Sequence, residues 1–71
     1  MIEFVIVKYR EERIVFIDGK KAGITGKTLL VNTGTHTFSL GGAQDFKPPV
    51  ITRQVVGTTP VKPMEVTFEK A

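Results

Sequence analysis

The chain has 71 residues, no cysteine, and ten basic against seven acidic side chains, which gives a net charge of +3. This length suits one small domain with a marginal core, and without cysteine neither disulfides nor thiolate metal sites can stabilise it further. A charge of +3 spread along the chain permits nucleic-acid binding but is equally typical of an ordinary protein surface. Charge alone therefore assigns no class of partner.

The first residues, Met1–Phe4, lack the basic region and long apolar stretch that a secretory signal requires. No apolar run approaches the roughly 18 residues that span a membrane. We therefore expect a soluble protein without a transmembrane segment. It is expected to be cytoplasmic as it stands, and envelope-associated if the sequence is a fragment of a longer protein.

The first half of the chain predicts short strands separated by turns. Residues Ile2–Tyr9 are β-branched or aromatic at nearly every position, which predicts a strand in the interior of a sheet or covered on both faces. The charged residues Arg10–Arg13 predict a hairpin connection to a second strand, Ile14–Ile17. Asp18-Gly19 is the strongest two-residue signal for a hairpin turn, and Lys20–Ile24 is the expected return strand at a sheet edge.

The middle of the chain continues the pattern with two further turns. Thr25–Lys27 predicts the first of them, and Leu29–Val31 is too brief for a long strand, so we expect it to fill the core. Asn32-Thr33-Gly34 predicts the second turn. From Thr35 to Leu40 apolar and polar residues alternate, as in a half-exposed antiparallel strand.

The last part of the chain begins with its longest irregular segment, Gly41–Pro49, in which we expect Phe46 to fold back onto the core. Strands are predicted at Val50–Val56 and at Met64–Glu69, the second with an acidic outer face. Six or seven strands without any helical period predict an all-β protein. We expect a single small antiparallel β-sandwich domain across residues 1–71.

The order of residues in the central stretch resembles the PEGA domain, a small β-sandwich repeat of bacterial and archaeal proteins. The resemblance covers residues 13–69 and depends on an apolar strand into Ile17-Asp18-Gly19, then Gly23 and Thr28, then Leu29 or Leu30, and Gly34-Thr35-His36 opening the next strand. The resemblance implies a non-catalytic module of the kind often attached to envelope or signalling proteins. The resemblance implies a binding or scaffolding role and names no ligand.

No set of residues predicts catalysis. Gly23–Thr28 looks like the end of a phosphate-binding P-loop, but Lys21 occupies the position of the first glycine and no helix is predicted to follow. His36 and Ser39 are the only histidine and serine, and residues three apart on a strand point to opposite faces. The carboxylates are scattered singly, unlike metal ligands. We predict no enzyme activity, no catalytic residue, no cofactor and no metal.

Two binding functions remain open. We favour protein–protein interaction, either by addition of a partner's strand to an open sheet edge, with Lys20–Ile24 as one candidate, or through the turn loops. The alternative is a small nucleic-acid-binding β-barrel, in which basic turn residues converge at one end and follow phosphates. Glu11 and Glu12 oppose this alternative. The candidate interaction residues are Arg10, Arg13, Lys20, Lys21, Lys27, Asp45, Phe46 and Lys47.

Overall fold

The structure is a computed structural model that describes all residues from Met1 to Ala71. It contains nine β-strands: β1 (Ile2–Lys8), β2 (Ile14–Ile17), β3 (Lys20–Ile24), β4 (Thr28–Asn32), β5 (Gly34–Leu40), β6 (Phe46–Lys47), β7 (Ile51–Val55), β8 (Met64–Thr67) and β9 (Glu69–Lys70). Seven of these have four or more residues, and β6 and β9 have two each. No part of the chain forms a helix of the length and hydropathy needed to cross a bilayer.

Two sheets pack face to face around the core, with strand orders β4-β1-β8 and β3-β2-β5-β7. A third, two-stranded sheet pairs β6 with β9. Thirteen buried apolar side chains from all three sheets form one continuous core cluster. The predicted all-β class is therefore confirmed.

One pair of strands departs from the predicted antiparallel arrangement, because β1 and β8 are parallel. The reason lies in the connection after β7. The Thr58 hydroxyl accepts a hydrogen bond from the Phe4 backbone N–H at 2.7 Å, so the chain re-enters beside the start of β1. The next strand then runs in the same direction as β1.

β1 occupies the centre of its sheet, as predicted for Ile2–Tyr9. Its inward side chains Val5 and Val7 are fully buried, while Phe4 and Ile6 on the outer face are only half-buried. The high apolar content of β1 therefore reflects one face in the core and a second face that is partly open to solvent.

The Asp18-Gly19 hairpin is confirmed. Both residues have positive φ, 54° and 81°, as a type I′ turn requires, and Ile17 pairs with Lys20 across the turn. The Asp18 carboxylate accepts a hydrogen bond from the Thr37 backbone N–H at 3.0 Å, which joins the turn to β5.

The predicted hairpin at Arg10–Arg13 is wrong, because β1 and β2 belong to different sheets. The segment instead crosses from one layer of the sandwich to the other. The buried Thr25 hydroxyl fixes this crossing, accepting from the Arg13 N–H and donating to the Glu11 carbonyl, both at 3.0 Å.

Leu29–Val31 fills the core as predicted, through the buried side chains of Leu29 and Val31. It also belongs to a five-residue strand, β4, that pairs with β1 along its whole length. The predicted anchor Phe46 is likewise confirmed. Its ring is buried and packs edge-to-face against Tyr9 and Phe68, with ring centroids 6.3 and 5.6 Å apart.

Candidate interaction edge

The nucleic-acid alternative requires five basic residues to converge, but they lie at two separate places in the fold. They are Arg10, Arg13, Lys20, Lys21 and Lys27. β3 pairs Lys20 with Ile17 beside the hairpin turn, and it pairs Ile24 with Ile14 at the far end of β2. From that far end the Thr25 N–H donates to the Arg13 carbonyl at 2.9 Å. The predicted convergence is therefore wrong, because the length of β3, about 13 Å at about 3.3 Å per residue, separates Lys20 from the Arg13 connection.

Arg13 and Asp45 bind each other. The Arg13 guanidinium donates to both Asp45 carboxylate oxygens, at 2.8 and 2.9 Å, and to Glu11 at 3.0 Å, and its side chain is only 13% exposed. Burial alone raises the pKa of Asp45, but the hydrogen bonds and charge of Arg13 outweigh it and hold that pKa below its usual value. The pair attaches the loop from Gly41 to Pro49 to the sandwich.

The other candidate residues are divided between surface and core. Phe46 is buried and so belongs to the core, whereas Lys27 and Lys47 are exposed. Arg10 is exposed beside a shallow open depression of about 420 Å³. It is lined by Lys8, Tyr9, Arg10, Glu11, Glu12, Thr25 and Gly26. Nowhere do three or more His, Asp or Glu side chains gather as metal ligands would.

Each of the two main sheets ends in an edge strand on either side, so four edges are available to a partner. β3 is one of them, as predicted for Lys20–Ile24. However, Val15 pairs with Gly23 and Phe16 with Lys21, which leaves Ala22 as the extra residue of a β-bulge. A bulge and lysines are two ordinary means by which proteins prevent pairing at an edge. β3 is thus a protected edge.

β7, at the other edge of the same sheet, is also partly blocked. The Thr37 carbonyl accepts from the Asp18 N–H, so the backbone groups of Thr37 point away from β7. The backbone N–H and C=O of Thr52, which pairs with Thr37, therefore point to the free edge. The Arg53 guanidinium donates to that Thr52 carbonyl at 2.9 Å. Pro48 and Pro49 stand just before the strand. β8 has only four residues and follows Pro63, which makes it a short edge.

β4 carries fewer of these obstacles, and the one it has lies at its Asn32 end. It has no proline, no bulge and no charged side chain, and it pairs in regular register with β1. The Thr33 N–H donates to the Met1 carbonyl at 2.8 Å, which sets the alternation of the antiparallel ladder. Leu29 and Val31 therefore bond to β1, while the N–H and C=O groups of Thr28 and Leu30 point to the free edge.

His36 closes one end of this edge. Its Nε2 lies 2.7 Å from the Asn32 carbonyl and its Nδ1 lies 2.6 Å from the Asp18 carboxylate. Both partners are acceptors, so only the imidazolium form donates to both. The hydrogen bond to Asp18, followed by that to Asn32, raises the pKa of His36. The open part of β4 is thus limited to Thr28 and Leu30.

Apolar side chains lie directly beside the open backbone. Leu30 is 62% exposed and stands opposite the half-buried Phe4 in the register of β4 with β1. Ile2, 52% exposed, and the half-buried Ile6 share the face of Phe4. We call Ile2, Phe4, Ile6 and Leu30 the outer apolar patch. The patch extends the exposed apolar surface from the edge onto the sheet face.

Glu3 is a structural carboxylate that sequence reasoning missed. It is only 3% exposed and accepts hydrogen bonds from the Thr33 hydroxyl at 2.6 Å and the Thr58 N–H at 2.9 Å. The Thr33 hydroxyl and then the Thr58 groups lower the pKa of Glu3 to about 2. The alternation of side chains along β1 could have identified Glu3 as buried, because Glu3 lies on the same inward face as Val5 and Val7.

No protein-family model, curated protein or solved structure matches this chain. The geometry of the edges, the charges beside them and the outer apolar patch are therefore the basis on which a function is assigned.

Proposed function

We propose that this protein is a non-catalytic interaction module that binds an extended segment of a partner protein along the free edge of β4. The observation that carries this proposal is the open backbone of Thr28 and Leu30, flanked by the exposed Leu30 side chain. An added strand receives main-chain hydrogen bonds from the edge and apolar contacts from the outer apolar patch. PEGA-type modules have the same kind of role, and the Asp18-Gly19 hairpin followed by the Gly34-Thr35-His36 strand supports membership of that family.

The expected affinity is modest. Thr28 and Leu30 supply four hydrogen-bonding groups, and each hydrogen bond contributes about 0.5–1.5 kcal/mol net. Covering the exposed Leu30 side chain adds about 1–2 kcal/mol, since full burial of a leucine is worth about 1.5–3 kcal/mol. Ordering an extended peptide opposes these gains. After this cost the expected dissociation constants are high micromolar to millimolar, as for a transient contact.

The nucleic-acid alternative has weaker support. Arg13 is occupied by Asp45 and Glu11, and the other basic turn residues proposed to converge are divided between the two ends of β3. Phe16, one of the aromatic residues considered for base stacking, is half-buried with its ring beside Gly41. All six aromatic side chains are buried or half-buried, whereas the usual platform for single strands combines cations with exposed aromatic rings.

The experiment is a selection of random nine-residue peptides on the intact protein, followed by amide NMR titration with the selected sequences. We expect the largest shifts at Thr28 and Leu30. Leu30→Pro removes a free-edge N–H without removing a β1–β4 hydrogen bond, so it should weaken binding at least about tenfold while the sheet persists. Thr52→Pro is the matched control, because it makes the same change at the free edge of β7.

The result that contradicts the proposal is equally specific. If Leu30→Pro binds the selected peptides as tightly as the unmodified protein, strand addition at β4 is wrong. Loss of binding in Thr52→Pro but not in Leu30→Pro would move the interaction to β7.

A further inference from the structure

We infer that the segment bound at β4 is acidic, with apolar and carboxylate side chains alternating along it. This inference rests on the proposed function and adds the chemistry of the partner. β3 and β4 are neighbouring edges on one side of the sandwich, and the charged residues on that side are mainly basic. Between Asp18 and Asp45 the chain has no acidic residue. Apart from His36, which is paired with Asp18, the charged side chains of this segment are Lys20, Lys21 and Lys27.

These three lysines are exposed and free of ion pairs. The five ion pairs of the molecule involve Lys8, Arg13, His36 and Lys70 as cations. Lys20 and Lys21 belong to β3, and Lys27 directly precedes β4. Their charges therefore remain available to a partner on this side of the protein.

The nearby carboxylates are mostly occupied. Asp18 accepts hydrogen bonds from His36 and Thr37, Glu3 is bonded by Thr33 and Thr58, and Glu11 is paired with Arg13. Glu12, on the connection before β2, makes no ion pair and lies beside Gly26 in the shallow depression. The unopposed positive charge is accordingly greatest toward Lys20 and Lys21.

The register of the strands assigns the two faces of a bound segment. β3 and β4 meet closely at Gly23, where an added Cβ would lie 2.4 Å from the Leu29 Cδ2. A strand beside β4 projects alternate side chains outward, next to Leu30 and Phe4, and the others toward the β3 side. Lys20 pairs with Ile17 and so shares the inward face of β3. Apolar residues suit the outer positions, and carboxylates suit the positions facing Lys20.

The same charges disfavour a second copy of this chain as the occupant. Pairing two β4 edges would bring both sets of lysines to one interface, and like charges across an interface oppose association. An acidic segment of another protein meets no such repulsion. The outer apolar patch also favours a peptide over a nucleic-acid strand, because phosphates gain no favourable contact with the apolar side chains of Leu30 and Ile2.

The test compares two blocked nine-residue peptides, one alternating glutamate with valine and one alternating lysine with valine, by amide NMR titration of the whole chain. We expect both sets of shifts to centre on Thr28 and Leu30, with the glutamate peptide bound about tenfold more tightly at roughly 20 mM salt and the difference reduced at roughly 150 mM. The Lys20→Gln/Lys27→Gln variant should reduce the ratio to about twofold. Arg53→Gln, which removes a cation from the opposite edge, is the control and should keep the ratio.

Three outcomes overturn the inference. If the two peptides bind β4 equally, the inference that the partner is acidic is wrong, whereas the proposal of strand addition at β4 is unaffected. If neither peptide shifts Thr28 or Leu30 while peptides from the random selection do, the alternating pattern is wrong. If single-stranded oligo(dT) shifts Lys20, Lys21 and Lys27 without Leu30, and that binding falls steeply with salt, the lysines serve nucleic acid instead.

Discussion

β3 and β4 are consecutive strands at neighbouring edges of the sandwich, yet they meet solvent in different ways. β3 carries a bulge at Ala22 and two exposed lysines, whereas β4 is regular, uncharged and apolar at Leu30. An edge without protection invites pairing, so proteins usually modify it. The contrast teaches that the edges of this molecule are protected unequally, and that β4 is less protected than β3.

The largest expected effect comes from forcing the two edges apart. Gly23→Val places a side chain where the Leu29 methyl lies 2.4 Å from the ideal Cβ, so the contact between β3 and β4 is overpacked. We expect the free energy of unfolding to fall by about 1–3 kcal/mol. Urea denaturation measures this, with the exposed Ala22→Val as control, expected to change stability by under about 0.5 kcal/mol. Equal losses in both variants would show that Gly23 is not a close contact.

Deleting Ala22 should remove the difference between the edges. The deletion joins Lys21 to Gly23 and restores simple alternation opposite Val15 and Phe16, so β3 becomes a regular edge. We expect more concentration-dependent self-association than the unmodified chain shows, limited at low salt by repulsion between the retained lysines and measured by sedimentation velocity. Ala22→Ser, which keeps the bulge, should behave like the unmodified protein. A strictly monomeric deletion variant would mean that the lysines alone protect β3.

The smallest effect concerns the His36 contact that closes the end of β4. Because the folded state raises the pKa of His36, its stabilising contribution is complete below the unfolded value of about 6.5 and is lost as pH rises through the higher folded value. The pKa of Asp18 is lowered, chiefly by the Thr37 backbone N–H and then by His36, so its contribution is lost as pH falls below about 4.

Asp18→Asn should therefore cost most stability between about pH 4 and 6.5, and less at higher pH. Thermal unfolding across this range measures the difference, and it should be smaller than the effect of Gly23→Val. The matched control is Glu69→Gln, which removes an exposed carboxylate that makes no ion pair. A loss for Asp18→Asn that does not change with pH would contradict the charged contact.

Local signals in the sequence predicted much of the fold. The Asp18-Gly19 turn requires positive φ at both positions, a property of those two residues themselves. The alternation in Thr35–Leu40 correctly predicted which side chains of β5 face the core. The buried position of Phe46 followed from a single aromatic residue within a polar, proline-rich loop.

Features that depend on distant residues were not predictable in the same way. Arg13 and Asp45 are 32 residues apart, and nothing local shows that they pair. The bulge at Ala22 depends on the register between β2 and β3, and the assignment of β1 and β2 to different sheets depends on which faces meet in the core. The nucleic-acid alternative placed the basic turn residues at one end of a sheet, but the turns that carry them lie at opposite ends of β3.

The most direct test of the open edge is amide hydrogen exchange at Leu30, measured free and with the glutamate–valine peptide. The Leu30 N–H points to solvent, so we expect fast exchange in the free protein and slow exchange in the complex. Val31, bonded to β1, should exchange slowly in both states, and Gln54 at the free edge of β7 should stay fast. If Leu30 is already protected in the free protein, or stays fast at saturating peptide while Gln54 slows, β4 is not the binding edge.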